Sequence, residues 1–508
     1  MLVVGAGPTG LVLAIWLTRL GVRVRIVDRN PAPSTTSRAV AVQARVLEMY
    51  MQLGLAAPVV DAGVRANALN LWVASRRAAR FPIGPAGEGL TPFPFVLIYP
   101  QDAHERLLIA ELAQLGVTVE RSTTLVALRQ DDDGVHATLR DPDGTDRSCA
   151  AAYCAGCDGA RSAVRQTLGV EFPGGTYSQY FYVADVQSTG PTTNGEVHVA
   201  LDTADFLIVF PMKGEGRTRL IGVARDRAGA EHQDVRFEDV SHVVLEQLGV
   251  SVSHVNWFST YHVHHRVASR FRDRRAFLLG DAAHIHSPVG GQGMNTGISD
   301  AINLAWKLAA VVRGEGDAKL LDSYEPERIA FAQRLVATTD RLFTLATAQG
   351  KLAAFVRTKI VPRLAPLLLR IAAVQRFMFR TVSQLVIEYR DSPLSSGIAG
   401  SVHAGDRLPW VRSGERDNFA PLATVAWQLH VHGTASADVA ATARALGVAL
   451  HVFPWSRQAE AAGLARNALY LVRPDGYVGF AGAAADLPAL QRYAASWGLR
   501  LSPSSLQT

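Results

Sequence analysis

A chain of 508 residues is too long for one small core and is expected to divide into two to four domains. Its 51 basic and 45 acidic residues are spread along the sequence, with no basic stripe interleaved with aromatics, so nucleic acid is not expected as a partner, whereas phosphate-bearing cofactors suit the mild excess of +6. Three cysteines, Cys149, Cys154 and Cys157, are too few for a secreted disulfide framework and point to a reducing cytoplasm.

No secretory leader is expected, since the apolar N-terminus runs straight into a glycine motif. The most apolar stretch, residues 364–379, is interrupted by Arg370 and Arg376, so no membrane span is expected. It reads as an amphipathic packing helix, with contact to a membrane surface as the alternative.

In chain order, Leu2-Val3-Val4 is a continuous apolar run suited to a strand buried on both faces. Gly5-Ala6-Gly7-Pro8-Thr9-Gly10 follows, then a helix through Leu20, and then an alternating strand over 22–27 ending in Asp28. This is a βαβ unit with a right-handed crossover. Its first strand is short, and further native residues are expected before it. A helix near 43–53, strands at 69–74 and 79–83, a helix over 103–115 and strands within 118–139 come next. Residues 176–264 alternate as strands, exemplified by Phe206-Leu207-Ile208-Val209-Phe210. An apolar strand at 276–279 leads to a second glycine cluster and a helix through Val312. Helical sequence fills 323–389. From about Gly400 the texture changes to short strands, a Pro474-Asp475-Gly476 turn and a closing helix, which reads as a separate α/β domain.

Three motifs carry chemistry. In Gly5-x-Gly7-x-x-Gly10 the first glycine allows a tight turn, the second lets a pyrophosphate reach the backbone, and the third lets helix and strand pack closely. Pro8 and Thr9 open the helix, and Asp28 offers a ribose acceptor. The second motif, Gly280-Asp281 followed by Pro288-Val289-Gly290-Gly291-Gln292-Gly293-Met294-Asn295, combines an acid able to hold a ribityl chain with glycines that let backbone lie against a flat ring. The helix dipole there favours negative charge on a reduced flavin. Together the two modules point to FAD. The third, Cys157-Asp158-Gly159-Ala160-Arg161-Ser162-Ala163-Val164-Arg165, places an acid, a glycine and basic residues at a helix start and reads either as a helix cap with a charged solvated face or as support for the FAD pyrophosphate and transient NAD(P)H contact. Cys154 and Cys157 have redox or metal spacing but no second pair, and His262 and His264 lack a carboxylate or cysteine partner, so no metal is expected. Tyr177, Tyr180, Phe206 and Phe210 read as sheet core or as pocket lining.

These three motifs, in this order and spacing, resemble the group A flavoprotein monooxygenases, the para-hydroxybenzoate hydroxylase-like family, over roughly residues 1–394. The remainder, from Gly405-Asp406-Arg407-Leu408-Pro409, resembles the thioredoxin-like C-terminal domain of the branch that holds phenol and aromatic polyketide hydroxylases. With no cysteine there, packing or dimerisation is the role that remains. The resemblance implies an α/β fold: a discontinuous Rossmann-type FAD-binding domain (1–175 and 265–395, with 67–100 lending strands to the next domain), an inserted β-sheet substrate domain (176–264), and the C-terminal domain (396–508).

It also implies that Asp28 and Arg29 meet the adenosine, Arg38 the phosphates, Leu125 the adenine through its backbone, and Gln101 and Asp281 the ribityl chain. Pro288, Gly290 and Gly291 would wall the reacting edge of the flavin, beside Gly293, Met294 and Asn295. The implied reaction is hydroxylation of a phenolic or polycyclic aromatic substrate by dioxygen through a flavin C4a-hydroperoxide, with NAD(P)H as reductant and NADPH favoured. The enzyme is expected to be a monomer or homodimer. Baeyer–Villiger or epoxidising oxygenation, a flavin dehydrogenase, and an FAD-containing protein that sequesters an aromatic ligand remain alternatives. Halogenation is disfavoured because no Trp-x-Trp-x-Ile-Pro element occurs.

Overall fold

Leu2 and Val3 are entirely withdrawn from water, and the strand they form, β1 (Leu2–Val4), lies inside a six-stranded sheet. The structure, a computed structural model, describes residues 1–499 apart from 36–38, 74, 202–205, 225–235, 241, 288–289, 348–354 and 415. Helix α1 (Pro8–Arg19) returns the chain to β2 (Arg25–Val27), which pairs parallel with β1. On the other side of β1 lies β3 (Cys154–Gly156), and beyond it β4 (Ala276–Leu278), both parallel. Segments far apart in sequence therefore share one sheet because each is apolar on both faces. Helix α2 (Gly293–Val312) then runs against α1.

The strand expected over 22–27 is shorter than its alternation suggests. The Val22 N–H is used on the Leu17 carbonyl to close α1, leaving only Arg25–Val27 for pairing.

An eight-stranded sheet carries Gly174–Thr189, Val197–Leu201, Phe206–Pro211, Arg217–Ala224 and Ser251–Val267, joined by Ala68–Val73 and Arg76–Pro82 from the N-terminal region. Alternation gives it two unlike faces. Leu207, Val209 and Leu220 pack under the helix Val243–Leu248. Phe206, Ile208 and Phe210 point the opposite way and stay half-buried. The strand His284–Ile285, just after the second glycine turn begins, pairs with this sheet and ties it to the first.

Helical structure ends at Val382 rather than continuing to 389. Gln384 takes a left-handed φ of 60°, and its amide reaches across to Gln292. Helices also form over the apolar stretch at 364–379, but much of their apolar side faces solvent instead of packing.

At the C-terminus, Gln428–His432 pairs parallel with Ala449–Phe453 and antiparallel with Leu469–Val472, which pairs antiparallel with Val478–Gly482. Buried ions fasten this region to the rest. Arg473 meets Glu327 at 2.8 and 3.0 Å, Lys307 meets the same carboxylate at 2.8 Å, and Trp306 donates to Asp475 at 3.0 Å. A second group joins Arg45, Glu48 and Arg407. Such groups are tolerable inside a protein only because every charge has a partner.

Candidate functional site

The three N-terminal glycines differ in what surrounds them. Gly5 has φ +104°, and a Cβ there would lie 2.3 Å from the Cys157 carbonyl oxygen. A Cβ on Gly10 would lie 2.0 Å from the Gly5 oxygen, so both positions are closed by backbone. At Gly7 nothing stands within 4 Å. The turn is thus packed at its first and third glycines and open at its second. Helix α1 has Pro8 in its first turn, no side-chain cap and no acid there, which leaves amino-terminal N–H groups for an anion.

Asp28 stands at the end of β2, where its Oδ2 accepts from Ala6 N–H at 2.7 Å and its Oδ1 from Asn30 N–H at 2.8 Å. The carboxylate expected to face a ribose therefore also braces the glycine turn. Arg29 is exposed beside it. Leu125 is buried in the strand Thr124–Gln130, and Thr123 N–H donates to the Asp28 carbonyl at 2.9 Å. Gln101 starts the helix Gln101–Gln114, with its N–H on the Ala39 carbonyl and its amide on Glu105. Arg38 and Pro288 lie outside the described residues.

Asp158 stands before the short helix Ala163–Thr167, accepting from Ser162 Oγ at 2.5 Å and Ala163 N–H at 2.6 Å. Burial pushes its carboxyl up against these hydrogen bonds. Asp158 thus braces the start of this helix, whose N-cap is Ser162, while Gly159 (φ +79°) is open and Arg161 exposed. The buried guanidinium of this motif is Arg165, which joins the Ala160 and Ala282 carbonyls at 2.8 and 2.9 Å. It therefore connects the third motif to the second.

Glycine contacts also unite the first and second motifs. A Cβ on Gly280 would approach Thr9 Oγ1 to 2.7 Å, and one on Gly297 would approach it to 2.3 Å. The amino ends of α1 and α2 meet through these bare positions, and α2 likewise has neither a side-chain cap nor an acid in its first turn. Asp281 is exposed beside them. Gly290 and Gly291 adopt φ of +81° and +63° in a turn held by amides. Gln43 and Gln292 both donate to the Gly290 carbonyl, and Asn295 donates to Ala41 and Gly291 while accepting from Gln43 N–H. Met294 lies half-buried between Gly293 and Asn295.

Below this turn sits Asp300, which accepts from Gly280 N–H at 2.9 Å, His284 Nε2 at 2.7 Å and Arg328 Nε at 2.6 Å. Burial opposes its ionisation, but Arg328 and His284 outweigh that and hold its carboxyl below the usual range. His284 is therefore engaged in a buried hydrogen bond. His286 packs near Gly293, and burial lowers it to about 4. The reading of the sequence missed Asp300, Arg328, Gln43 and Gln384. The available signal was Asp300, Asn303 and Lys307 at helical spacing in an otherwise apolar helix.

The half-buried sheet face looks toward the same region. Ile208 and Phe210 pack with Val40 and Ile98, and Arg219, paired with Asp185, reaches the Ala39 carbonyl at 3.3 Å. Tyr180 packs on His262, Tyr177 on His265, and Phe206 against Phe181. His264 bonds Thr176 at 2.7 Å. Among the described residues no group of three or more His, Cys, Asp or Glu is placed to hold a metal.

Two glycine modules with adjoining, uncapped helix ends, on a parallel sheet, define a Rossmann-type dinucleotide-binding protein. A family model described as "FAD binding domain" (FAD_binding_3) matches residues 1–339, and the chain belongs to this family of flavin monooxygenases. It is similar to 6-methylpretetramide 4-monooxygenase of Streptomyces rimosus, with 37% identity over 80% of this chain and 73% of the relative. It also resembles a flavin-dependent monooxygenase of Mycobacteroides abscessus, with 30% identity over 94% and 96%. The solved anhydrotetracycline hydroxylase of Streptomyces rimosus superposes with a TM-score of 0.78 at 27% identity, covering 99% of both chains.

Proposed function

We propose that this monooxygenase hydroxylates an aromatic substrate, phenolic or a polycyclic polyketide, using dioxygen and NAD(P)H. The observation that carries this reading is the apolar sheet face of Ile208 and Phe210, which abuts the segment that clasps the second glycine turn. Relatives named for 6-methylpretetramide and anhydrotetracycline support the substrate class.

The residues present fit FAD, given the open side of Gly7 and the paired uncapped helix ends. On this reading Gly5, Gly7, Pro8, Thr9 and Gly10 receive the pyrophosphate, with Gly159, Arg161 and Arg38 nearby and Asp158 shaping their loop. Asp28, Arg29 and Leu125 hold the adenosine, and Gln101, Gly280 and Asp281 the ribityl chain. Gly290, Gly291, Gly293, Met294 and Asn295 lie against the ring, with Pro288 beside them. Bound FAD supplies hydride acceptance from NAD(P)H and activation of dioxygen. The chain supplies position and dryness. The amide clasp of Gln43, Gln292 and Asn295 fixes the turn, uncapped N–H groups of α2 favour negative charge beside it, and the apolar face excludes water from an aromatic ring.

The proposed division is 1–175 with 265–395 for the cofactor, 176–264 with strands from 67–100 for the substrate, and 396–508 as a thioredoxin-like unit. The last rests on one parallel and two antiparallel pairings in a four-strand core.

The test is a screen of phenols, arylpropionates and anthraquinone-like polyketides for stimulated NAD(P)H oxidation under labelled dioxygen. One labelled oxygen in a ring hydroxyl is expected. Insertion beside a carbonyl would indicate a Baeyer–Villiger enzyme, and oxidation without incorporation a dehydrogenase.

A further inference from the structure

Residues 356–382 form a π-helical turn (Val356–Ile360) and two helices, Val361–Leu368 and Ala372–Val382, the first beside the edge strand Arg76–Pro82. One side of this pair is anchored. Phe379 is buried with Phe81, Ile83 and Ala86, and its ring so fills the space over Gly87 that a Cβ there would come within 2.5 Å. The Val382 carbonyl accepts from Gln292 at 2.9 Å.

The other side has no cover. Leu364, Leu367 and Leu368 are 50, 56 and 49% exposed, Ile371 is 50% exposed, and Phe377 is 67% exposed. Within Val361–Leu368, Leu364, Leu367 and Leu368 fall at helical spacing within an arc of about 100°, and Ile360 and Ile371 are exposed just before and after that helix. Lys359, Arg363 and Arg370 are exposed in or beside the first helix, and Arg376 and Arg380 are exposed on the second. From 341 to 387 the sequence holds eight Lys or Arg and no Asp or Glu, although the whole chain carries 45 acids.

Exposed apolar surface on this scale marks an interaction site, and its single-sign border selects the occupant. A second copy would set the same cations against each other across a two-fold axis. An anionic bilayer takes both features, the stripe at the acyl boundary and the cations among headgroups. We propose that this helical pair docks the enzyme on an anionic phospholipid surface. The attachment lies in the plane of the membrane, since among the described residues no helix is long and apolar enough to cross one.

Co-sedimentation of the FAD-loaded, full-length protein with vesicles tests this. Binding is expected to phosphatidylcholine vesicles containing phosphatidylglycerol but not to phosphatidylcholine alone. It should weaken with salt as the screening length falls from about 10 Å at 0.1 M. Arg363→Gln with Arg370→Gln should weaken partitioning roughly 30-fold. Leu364→Ser with Leu367→Ser should weaken it at least about tenfold. Phe377→Ser, at the most exposed position, gives a second variant with little burden on folding. These side chains lie outside the cofactor site, so FAD content and NAD(P)H oxidation should stay at parental levels. The proposal is overturned by failure to bind anionic vesicles, or by apolar variants that bind as well as the parent. Self-association in light scattering that the Leu substitutions abolish, or retention of an acidic protein where vesicles are not retained, would overturn it as well.

Discussion

Gly5, Gly7 and Gly10 are one residue type in three physical situations, and substitution should separate them. A Cβ at Gly7 has no protein atom within 4 Å, so Gly7→Val should fold with an unchanged circular dichroism spectrum yet purify without flavin colour. Gly10→Val drives a side chain into the Gly5 carbonyl and should not fold to a soluble protein. A yellow Gly7 variant would remove the pyrophosphate from that position. Asp281→Ala removes an exposed carboxylate beside the second glycine turn, so a lowered FAD content is expected; full occupancy would remove Asp281 from the ribityl assignment. The spacing of these residues is legible in sequence because covalent geometry sets it. Which glycine is open and which are packed is not, because Cys157 arrives from elsewhere in the chain and the fold of the turn sets the Gly5 carbonyl against Gly10.

At the scale of elements, α2 decides how the second turn is held. Its apolar residues predict a helix, and almost its whole circumference is buried against α1 and the helix Tyr324–Thr347. Asp300 lies on that buried surface with Arg328, His284 and the Gly280 N–H. Asp300→Asn leaves the Arg328 guanidinium buried without its counter-charge. A loss of about 3–5 kcal/mol in urea unfolding is expected, together with weaker FAD retention from the loosened 280–281 turn. Asp146→Asn, in an exposed pair with Arg140, should leave the urea midpoint unmoved. Equal midpoints for the two variants would show that Asp300 does not brace the turn. The helix was readable from periodicity, but its polar partners were not, since they sit on the preceding turn and strand and on another helix.

For the whole molecule, buried histidines set an acid limit. Burial lowers His104 to about 3 and His286 and His432 to about 4, and it lowers His430 and His451 as well. An unfolded histidine protonates near pH ~6.5, so below that value the unfolded chain binds protons that the folded chain refuses. Stability present above about pH 6.5 should therefore fall progressively toward pH ~4. Three of these histidines, His430, His432 and His451, lie together on neighbouring C-terminal strands, so that region should open first. Urea midpoints at about pH 8 and about pH 5 check the first point and hydrogen exchange the second; an unchanged midpoint would contradict the burial of these rings. The Arg473–Glu327–Lys307 and Arg45–Glu48–Arg407 groups carry the consequence onward, because they span the C-terminal region and the helices beneath the glycine turns.

The amino-acid sequence alone determined the two glycine modules, the acids that follow their strands, the alternating sheet between them and the family to which they belong. All of these are local patterns imposed by backbone sterics and by one- or two-sided burial. Only the tertiary structure decided that Asp158 braces a helix start while Arg165 joins two motifs, that Gln43 and Gln384 clasp the second turn, and that a cationic apolar helical pair is left facing water. Each of those outcomes depends on what a distant segment brings within about 3 Å, and no spacing along the chain encodes that.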